Sequence, residues 1–214
     1  MSHLEITGVV LAGGRSTRFG DANKALATLD GETCLERVVS TVETATGRPP
    51  VVSVRTAEQR ETYAARLPES VTYALDAPTH EGPVAGVLGA LDAVETPWAF
   101  VCGCDMPALS TAAIEWQHRR LAEVVEPSAA PAALAVVSPD GTPQPLHACF
   151  RVDAVERDRL PAAAGVCGLF DALSPVATVP VSDAPATVPL ARSLSNVNTR
   201  EELAALAAEV TADD

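Results

Sequence analysis

Short apolar runs alternate with helix-like stretches over the first 125 residues, and this alternation constrains the fold more than any other feature of the chain. The apolar runs predict strands over residues 8–12, 51–54, 71–75 and 98–102. The stretches between them predict helices over residues 33–46, 56–66, 82–94 and 110–125. A repeated strand–helix–strand order is typical of a parallel sheet covered by helices on both faces. We therefore predict an α/β fold with a mostly parallel central sheet.

The second half of the chain is less regular. The elements predicted there are a strand pair over 132–137 and 146–150, a helix over 152–160, edge structure or a flap over 174–190, and a final helix over 200–210. Either Asn198 or Thr199 can cap the final helix. Because no internal boundary is visible, we expect a single domain over residues 1–214.

The composition excludes several classes of protein. The chain has 214 residues, of which 47% are hydrophobic, so it can bury a substantial core and is not a disordered chain. Its formal net charge of −13 argues against binding to nucleic acid or to an anionic membrane surface. The apolar run 8–12 is too short for a secretory signal or a membrane span, which predicts a cytoplasmic protein. The five cysteines form no CxxC pair and are predicted to be small buried thiols.

A glycine-rich segment follows the first predicted strand and ends at Lys24, the one lysine among 15 basic residues. Its glycines, at positions 13, 14 and 20, match neither the GxxxxGK[ST] nor the GxGxxG spacing. A segment of this kind after a strand can still point backbone amides at an anion, although an ordinary turn would use the same glycines. Lysine meets a phosphate as a compact point charge, so Lys24 favours a phosphate-binding site.

Four segments of the sequence resemble those of a known family. Residues 11–20, LAGGRSTRFG, followed by Lys24, resemble the LAGGxSxRxG…K signature of nucleotidyltransferases that activate phosphorylated acceptors. Within that group the chain is most similar to the molybdenum cofactor guanylyltransferase family. Residues 81–86, 103–107 and 196–203 resemble that family's GPLAG, CDMP and NVNTPEEL segments, in the same order along the chain.

The resemblance implies a Rossmann-like three-layer nucleotidyltransferase fold with the nucleotide across the carboxyl ends of the strands. It implies catalytic roles for Lys24, Asp105 and Arg18, with Asp105 as the ligand of a magnesium ion. The residues that it implies for nucleotide binding are Leu11, Ala12, Gly13, Gly14, Lys24, Asp76, Gly82, Asp105, Asn196 and Asn198. For Asn196 and Asn198, contact with the acceptor and simple helix capping are the alternatives.

The implied reaction is magnesium-dependent transfer of GMP from GTP to the terminal phosphate of molybdopterin, with release of pyrophosphate. The attacking phosphate is already ionised, so the absence of a Ser-His-Asp arrangement is no objection. The alternatives are a related transferase that uses CTP or another phosphorylated acceptor, and a non-catalytic nucleotide-binding homologue. Transient contact with molybdenum cofactor biosynthesis proteins and with recipient enzymes is also implied.

The chain departs from the family pattern in two places. Ser53, Val54 and Arg55 occupy a region where the family often has an asparagine, so the residues that read the base there are undefined. The segment 165–170 resembles a family segment but lacks its usual basic residue.

His147 lies on a predicted strand and is interpreted as a structural histidine.

Overall fold

One central sheet of seven strands organises the computed structural model, which describes residues 4–14, 19, 23–125, 130–156, 160–161, 165–171 and 173–212. The strands of this sheet are β1 (Ile6–Leu11), β4 (Val51–Val54), β5 (Thr72–Leu75), β6 (Trp98–Gly103), β7 (Ala133–Val137), β8 (Pro143–Arg151) and β9 (Val176–Pro180). A separate hairpin consists of β2 (Thr28–Leu29) and β3 (Glu32–Thr33). The helices are α1 (Cys34–Thr46), α2 (Ala57–Ala64), α3 (Gly82–Leu91), α4 (Thr111–Val124), α5 (Gly168–Asp171), α6 (Leu190–Ser193) and α7 (Arg200–Ala212).

The strand order across the sheet is β5-β4-β1-β6-β8-β7-β9. Strand β1 runs parallel to both β4 and β6, β4 runs parallel to β5, and β7 runs parallel to β9. Strand β8 alone is antiparallel, to β6 on one side and β7 on the other. The prediction of a mostly parallel α/β sheet is therefore confirmed.

Two hydrophobic cores lie on opposite faces of the sheet, because successive side chains of a strand point to opposite faces. Val10 of β1 belongs to the core that includes α1 and α4, whereas its neighbour Val9 belongs to the core that includes α3. Helices on both faces make the three layers that the sequence predicted. No helix among the described residues is long and apolar enough to cross a membrane.

Local sequence signals explain why α1 begins and ends where it does. The Thr33 hydroxyl accepts a hydrogen bond from the Glu36 backbone N–H, and the Glu36 carboxylate accepts one from the Thr33 N–H. This capping box satisfies two amides that the helix itself leaves without partners. Gly47 ends the helix in the left-handed conformation, at φ 67°, which costs glycine little. The eight elements predicted over the first 125 residues are all present, with bounds shifted by three residues at most.

The second half both confirms and corrects the predictions. The strand pair around residues 139–141, the edge strand β9 and the final helix are confirmed. The helix predicted over 152–160 is wrong for its described part, which contains only a short 3-10 turn, Val152–Ala154. Strand β8 continues through Arg151, and the Val152 N–H donates to Pro97 O. No side chain caps the 3-10 turn that follows. The β2–β3 hairpin was missed, although Asp30-Gly31 is a typical hairpin turn pair.

Candidate functional site

A cleft of about 710 Å³ opens at the carboxyl ends of the parallel strands β1, β4, β5 and β6. One residue that lines the cleft follows each of these strands within two residues of its end. These residues are Gly13, Arg55, Asp76 and Asp105. Open α/β sheets bind their ligands at this edge, because neighbouring strand ends and helix N-termini converge there. The cleft is therefore the candidate site.

Three polar side chains that are distant in sequence meet at one end of this site. The Lys24 Nζ donates to Asp105 Oδ2 over 2.8 Å and to Asn198 Oδ1 over 3.3 Å. The side chains of Lys24 and Asp105 are 17% and 22% exposed, so their charges are only partly screened by water. The cluster offers one cation, one carboxylate and one amide to a ligand.

Backbone contacts fix Asp105 within this cluster. The Cys104 N–H donates to Leu11 O over 3.0 Å, and the Val197 N–H donates to Asp105 O over 2.7 Å. A side chain at position 103 would collide with Asp105 Oδ1, so Gly103 leaves room for the carboxylate. The strand end, the turn after it and the segment before α7 are thus held together.

The Asn198 side chain does not cap α7. The Thr199 hydroxyl accepts from the Glu202 N–H over 3.1 Å, and the Glu202 carboxylate accepts from the Asn198 and Thr199 N–H groups. This reciprocal cap leaves the Asn198 amide to face Lys24. Neither Asn196, which is exposed, nor Asn198 is among the described residues that line the cleft, and Asn198 contacts it through Lys24.

A second polar group lies near the opposite wall. The fully buried Ser53 hydroxyl donates to Asp76 Oδ1 over 2.6 Å, and the Asp76 N–H donates to Val54 O over 2.9 Å. An added methyl at Gly13 would lie 2.6 Å from Asp76 Oδ2, and one at Gly86 would lie 2.8 Å from Ser53 Oγ. Glycine at both positions therefore makes room for this pair. The sequence left Ser53 without a role because its partner directly follows the neighbouring strand β5, 23 residues away.

Most of the residues predicted from the sequence come together in the cleft. Those that line it are Leu11, Gly13, Gly14, Lys24, Asp76, Gly82 and Asp105. Ala12 is buried beneath it, at 1% exposure, and Arg18 lies outside the described residues. His80 and Leu146 also line the cleft, and the sequence carried no pattern that singled out His80 for this place. Leu146 lies on β8, the antiparallel strand beside β6.

His147 lies in the protein core, as its structural interpretation predicted. Its Nδ1 is 2.8 Å from Gln117 Oε1, and its Nε2 is 3.1 Å from Ser193 Oγ. The Gln117 amide nitrogen donates to the carbonyl oxygens of Leu134 and His147, so its oxygen accepts from Nδ1–H. Nε2 of the neutral ring then accepts from the Ser193 hydroxyl. Both nitrogens of this buried, neutral ring therefore have hydrogen-bond partners.

The His147 network predicts that stability falls as the pH falls from about 6.5 to about 4. Burial lowers the pKa of His147 from 6.5 to about 4, so the unfolded chain binds more protons throughout this window. The loss for His147 amounts to at most about 3 kcal/mol of the free energy of unfolding. Urea titrations of the wild type and of His147→Gln across this range measure it.

His118, whose pKa burial also lowers to about 4, is present in both proteins, so their difference reports mainly on His147. We expect a shallower pH dependence in His147→Gln. Identical pH dependence of the two proteins contradicts the assignment of a neutral, buried His147.

The cysteines are not reactive groups of this site. Cys34, Cys102, Cys104 and Cys149 are buried, as predicted, whereas Cys167 is exposed and departs from that prediction. Burial, with a smaller contribution from the Asp105 carboxylate, raises the pKa of Cys104 to about 12. Its thiol therefore stays protonated beside the Lys24–Asp105 pair.

Comparison with known proteins agrees with this geometry. Residues 8–212 match the family model of the MobA-like NTP transferase domain. The chain is 35% identical, over 69% of its length and 68% of the relative's, to the "Probable molybdenum cofactor guanylyltransferase" of Natronomonas pharaonis. It is 29% identical, over 95% of both chains, to the molybdenum cofactor guanylyltransferase of Cupriavidus metallidurans. Molybdopterin-guanine dinucleotide biosynthesis protein A from Archaeoglobus fulgidus shares the fold, with a TM-score of 0.77 at 24% identity over 97% of this chain and 100% of that one. The chain belongs to the MobA-like NTP transferase family.

Proposed function

We propose that this protein transfers GMP from GTP to the terminal phosphate of molybdopterin and releases pyrophosphate. The observation that carries the proposal is the meeting of Lys24, Asp105 and Asn198 beside the glycine-rich end of β1, in a chain whose family relatives carry the name of that activity. An oxygen of the acceptor phosphate bonds to the α-phosphorus of GTP. The bond from that phosphorus to the bridging oxygen breaks, and the electron pair leaves with pyrophosphate.

Charge neutralisation is the main task of the protein in this reaction. Two polyanions must approach each other inside a chain with a formal net charge of −13, so repulsion opposes their encounter. Lys24 supplies a fixed positive charge at the phosphate end of the cleft. Such a prepositioned charge lowers the barrier because it requires no reorganisation as negative charge builds on the leaving group.

The donor set around Asp105 fits a magnesium ion that arrives with the triphosphate. Magnesium is commonly held by one or two carboxylates together with phosphate oxygens and waters, whereas a fully protein-built site needs more ligands. No group of three or more His, Cys, Asp or Glu side chains in the described part of the chain could hold a metal. Asp105 would be the protein ligand, with the Asn198 oxygen nearby. The bound ion would withdraw charge from the phosphate oxygens.

The Ser53–Asp76 pair supports guanine as the base. Guanine presents two adjacent N–H donors, at N1 and N2, and a carboxylate accepts such a pair. Asp76 lines the cleft, and its Oδ1 already accepts from Ser53, which fixes the orientation of the carboxylate. Cytosine lacks the adjacent ring N–H, so it would leave this acceptor poorly satisfied.

Asp76→Asn is expected to lower the preference for GTP over CTP by about tenfold or more, because a charged acceptor contributes about 1.5–3 kcal/mol to a hydrogen bond. The ratio of the two kcat/KM values measures this preference. The rate with CTP should change little, since the proposed contact is made to guanine. An unchanged ratio would remove Asp76 from base recognition.

A panel of GTP, CTP, ATP and UTP, each with magnesium and molybdopterin, tests the proposed function through pyrophosphate release and thermal shift. We expect pyrophosphate with GTP and the largest thermal stabilisation by the same nucleotide. Release with CTP alone would point to the cytidylyl alternative. Binding of GTP without pyrophosphate release would point to the non-catalytic alternative.

A further inference from the structure

Tyr63 on α2 reaches both described ends of the glycine-rich segment. Its side chain is fully buried, and its hydroxyl donates to Ala12 O over 3.3 Å. The same hydroxyl accepts from the Asn23 Nδ2 over 3.1 Å. Ala12 follows β1, and Asn23 immediately precedes Lys24. One phenol therefore links the strand that opens the segment to the residue that closes it.

Asn23 transmits this link to Lys24 through the backbone. The Asn23 Oδ1 accepts from the Ala25 N–H over 3.0 Å and thereby caps the 3-10 turn Lys24–Leu26. The Asn23 Oδ1 is also 3.4 Å from the Tyr63 hydroxyl, but it already accepts from the Ala25 N–H, and the amide nitrogen is the nearer atom at 3.1 Å. The turn that carries Lys24 packs Ala25 into the core and is in addition connected to the phenol through the Asn23 side chain.

The end of β1 is held independently of this phenol. The Ala12 N–H donates to Ser53 O over 2.8 Å, which extends the pairing of β1 with β4 beyond the strand itself. Tyr63 therefore ties the turn of Lys24 to a point that the sheet already fixes. Without its hydroxyl, the turn would keep the buried Ala25 and the bond from the Cys34 N–H to Ala27 O, but it would lose this link to Ala12.

We infer that Tyr63 is a positioning residue that places the Lys24 ammonium for the phosphates of the nucleotide, by fixing the distance between Ala12 and Asn23. This inference rests on the proposed function, since it assigns Lys24 to the phosphates of GTP. It adds a residue from a helix that contributes nothing to the cleft lining among the described residues. Burial raises the pKa of Tyr63, so its hydroxyl remains a donor at neutral pH.

Tyr63→Phe tests the inference because it keeps the buried ring and removes only the hydroxyl. We expect the affinity for GTP to fall about tenfold, which corresponds to the loss of about one net hydrogen bond to a neighbouring group. The affinity for guanosine, which has no phosphates, should stay the same. If the hydroxyl had only a structural role, its removal would lower the affinities for GTP and guanosine by the same factor. That result would overturn the inference.

Tyr73→Phe is the matched control. The Tyr73 hydroxyl is buried and has no hydrogen-bond partner among the described residues, so its removal should leave GTP binding unchanged. Lys24→Ala supplies a second comparison, since Tyr63 is proposed to act through Lys24. Adding Tyr63→Phe to Lys24→Ala should cause no further loss of GTP affinity, whereas two fully additive losses would overturn the inference.

Asn23→Ser tests the same hydrogen bond from its other end, and it is used if Tyr63→Phe does not fold. Serine is a good cap and can still accept from the Ala25 N–H, but it lacks the amide donor to Tyr63. Asn23→Ser should show the same loss of GTP affinity although Tyr63 is intact. A wild-type affinity of this variant for GTP would contradict the inference. If the wild type itself fails to bind GTP, the proposed function fails, and that outcome is distinct from any difference among these variants.

Discussion

Asp105→Asn is expected to lower kcat for pyrophosphate release from GTP by about 100- to 1,000-fold, the range seen when one charge-stabilising group is removed from an active site. Asparagine keeps the size of the side chain but removes the charge that faces Lys24 and the proposed magnesium ion. The protein should still fold, since Asp105 is anchored through its backbone by Val197. The affinity for GTP without magnesium should be equal to or higher than that of the wild type, because one negative charge has left the cleft.

Asp153→Asn is the matched control for this prediction. It removes a carboxylate that is 82% exposed and pairs with Arg151, away from the cleft, so kcat should be unchanged. Circular dichroism of both variants shows whether the fold is retained. A folded Asp105→Asn protein with a wild-type kcat would remove Asp105 from the catalytic site.

Lys24→Ala is expected to weaken GTP binding by about 10- to 100-fold, which is the cost of one charge-assisted hydrogen bond. Lys24 is the one lysine of the chain, and its ammonium is partly buried between Asp105 and Asn198. Guanosine should bind equally to the wild type and to this variant, because it carries no phosphate. Isothermal titration with GTP, GDP, GMP and guanosine measures the dependence on phosphate number.

Two further variants sharpen this result. Lys24→Arg should restore little of the lost affinity, since a planar guanidinium does not replace a compact ammonium in a confined site. Arg48→Ala removes a positive charge from an exposed pair with Glu5 and should leave GTP affinity unchanged. If Lys24→Ala weakened guanosine and GTP by the same factor, the assignment of Lys24 to the phosphates would be wrong.

The sequence predicted the sheet and its helices because the responsible signals are local. The period of the apolar residues, the capping box at Thr33 and the glycine at position 47 lie within or beside the elements they define. The short helix expected after β8 failed for a non-local reason. The Arg151 N–H donates to Ala132 O and the Val152 N–H to Pro97 O, and both acceptors lie in distant parts of the sequence.

The residues of the candidate site likewise fall into those that local motifs identify and those that depend on contacts between distant elements. Lys24 and Asp105 were identified from the sequence because each lies in a motif with its own local spacing. Ser53 and Tyr63 carry no such motif, and their proposed roles depend on the groups that they contact in other parts of the chain. Contacts of this kind depend on the order of the strands and the packing of α2, and neither follows from local patterns.

The most direct test of the proposed reaction is the mass of its product. Wild-type protein is incubated with GTP, magnesium and molybdopterin, and the products are separated and weighed by mass spectrometry while pyrophosphate is quantified. The reaction predicts molybdopterin joined to GMP through a pyrophosphate linkage, with one released pyrophosphate for each dinucleotide formed, and both products forming about 100- to 1,000-fold more slowly with Asp105→Asn. Pyrophosphate release without the dinucleotide, or no product at all from folded protein that binds GTP, would contradict the proposed guanylyl transfer.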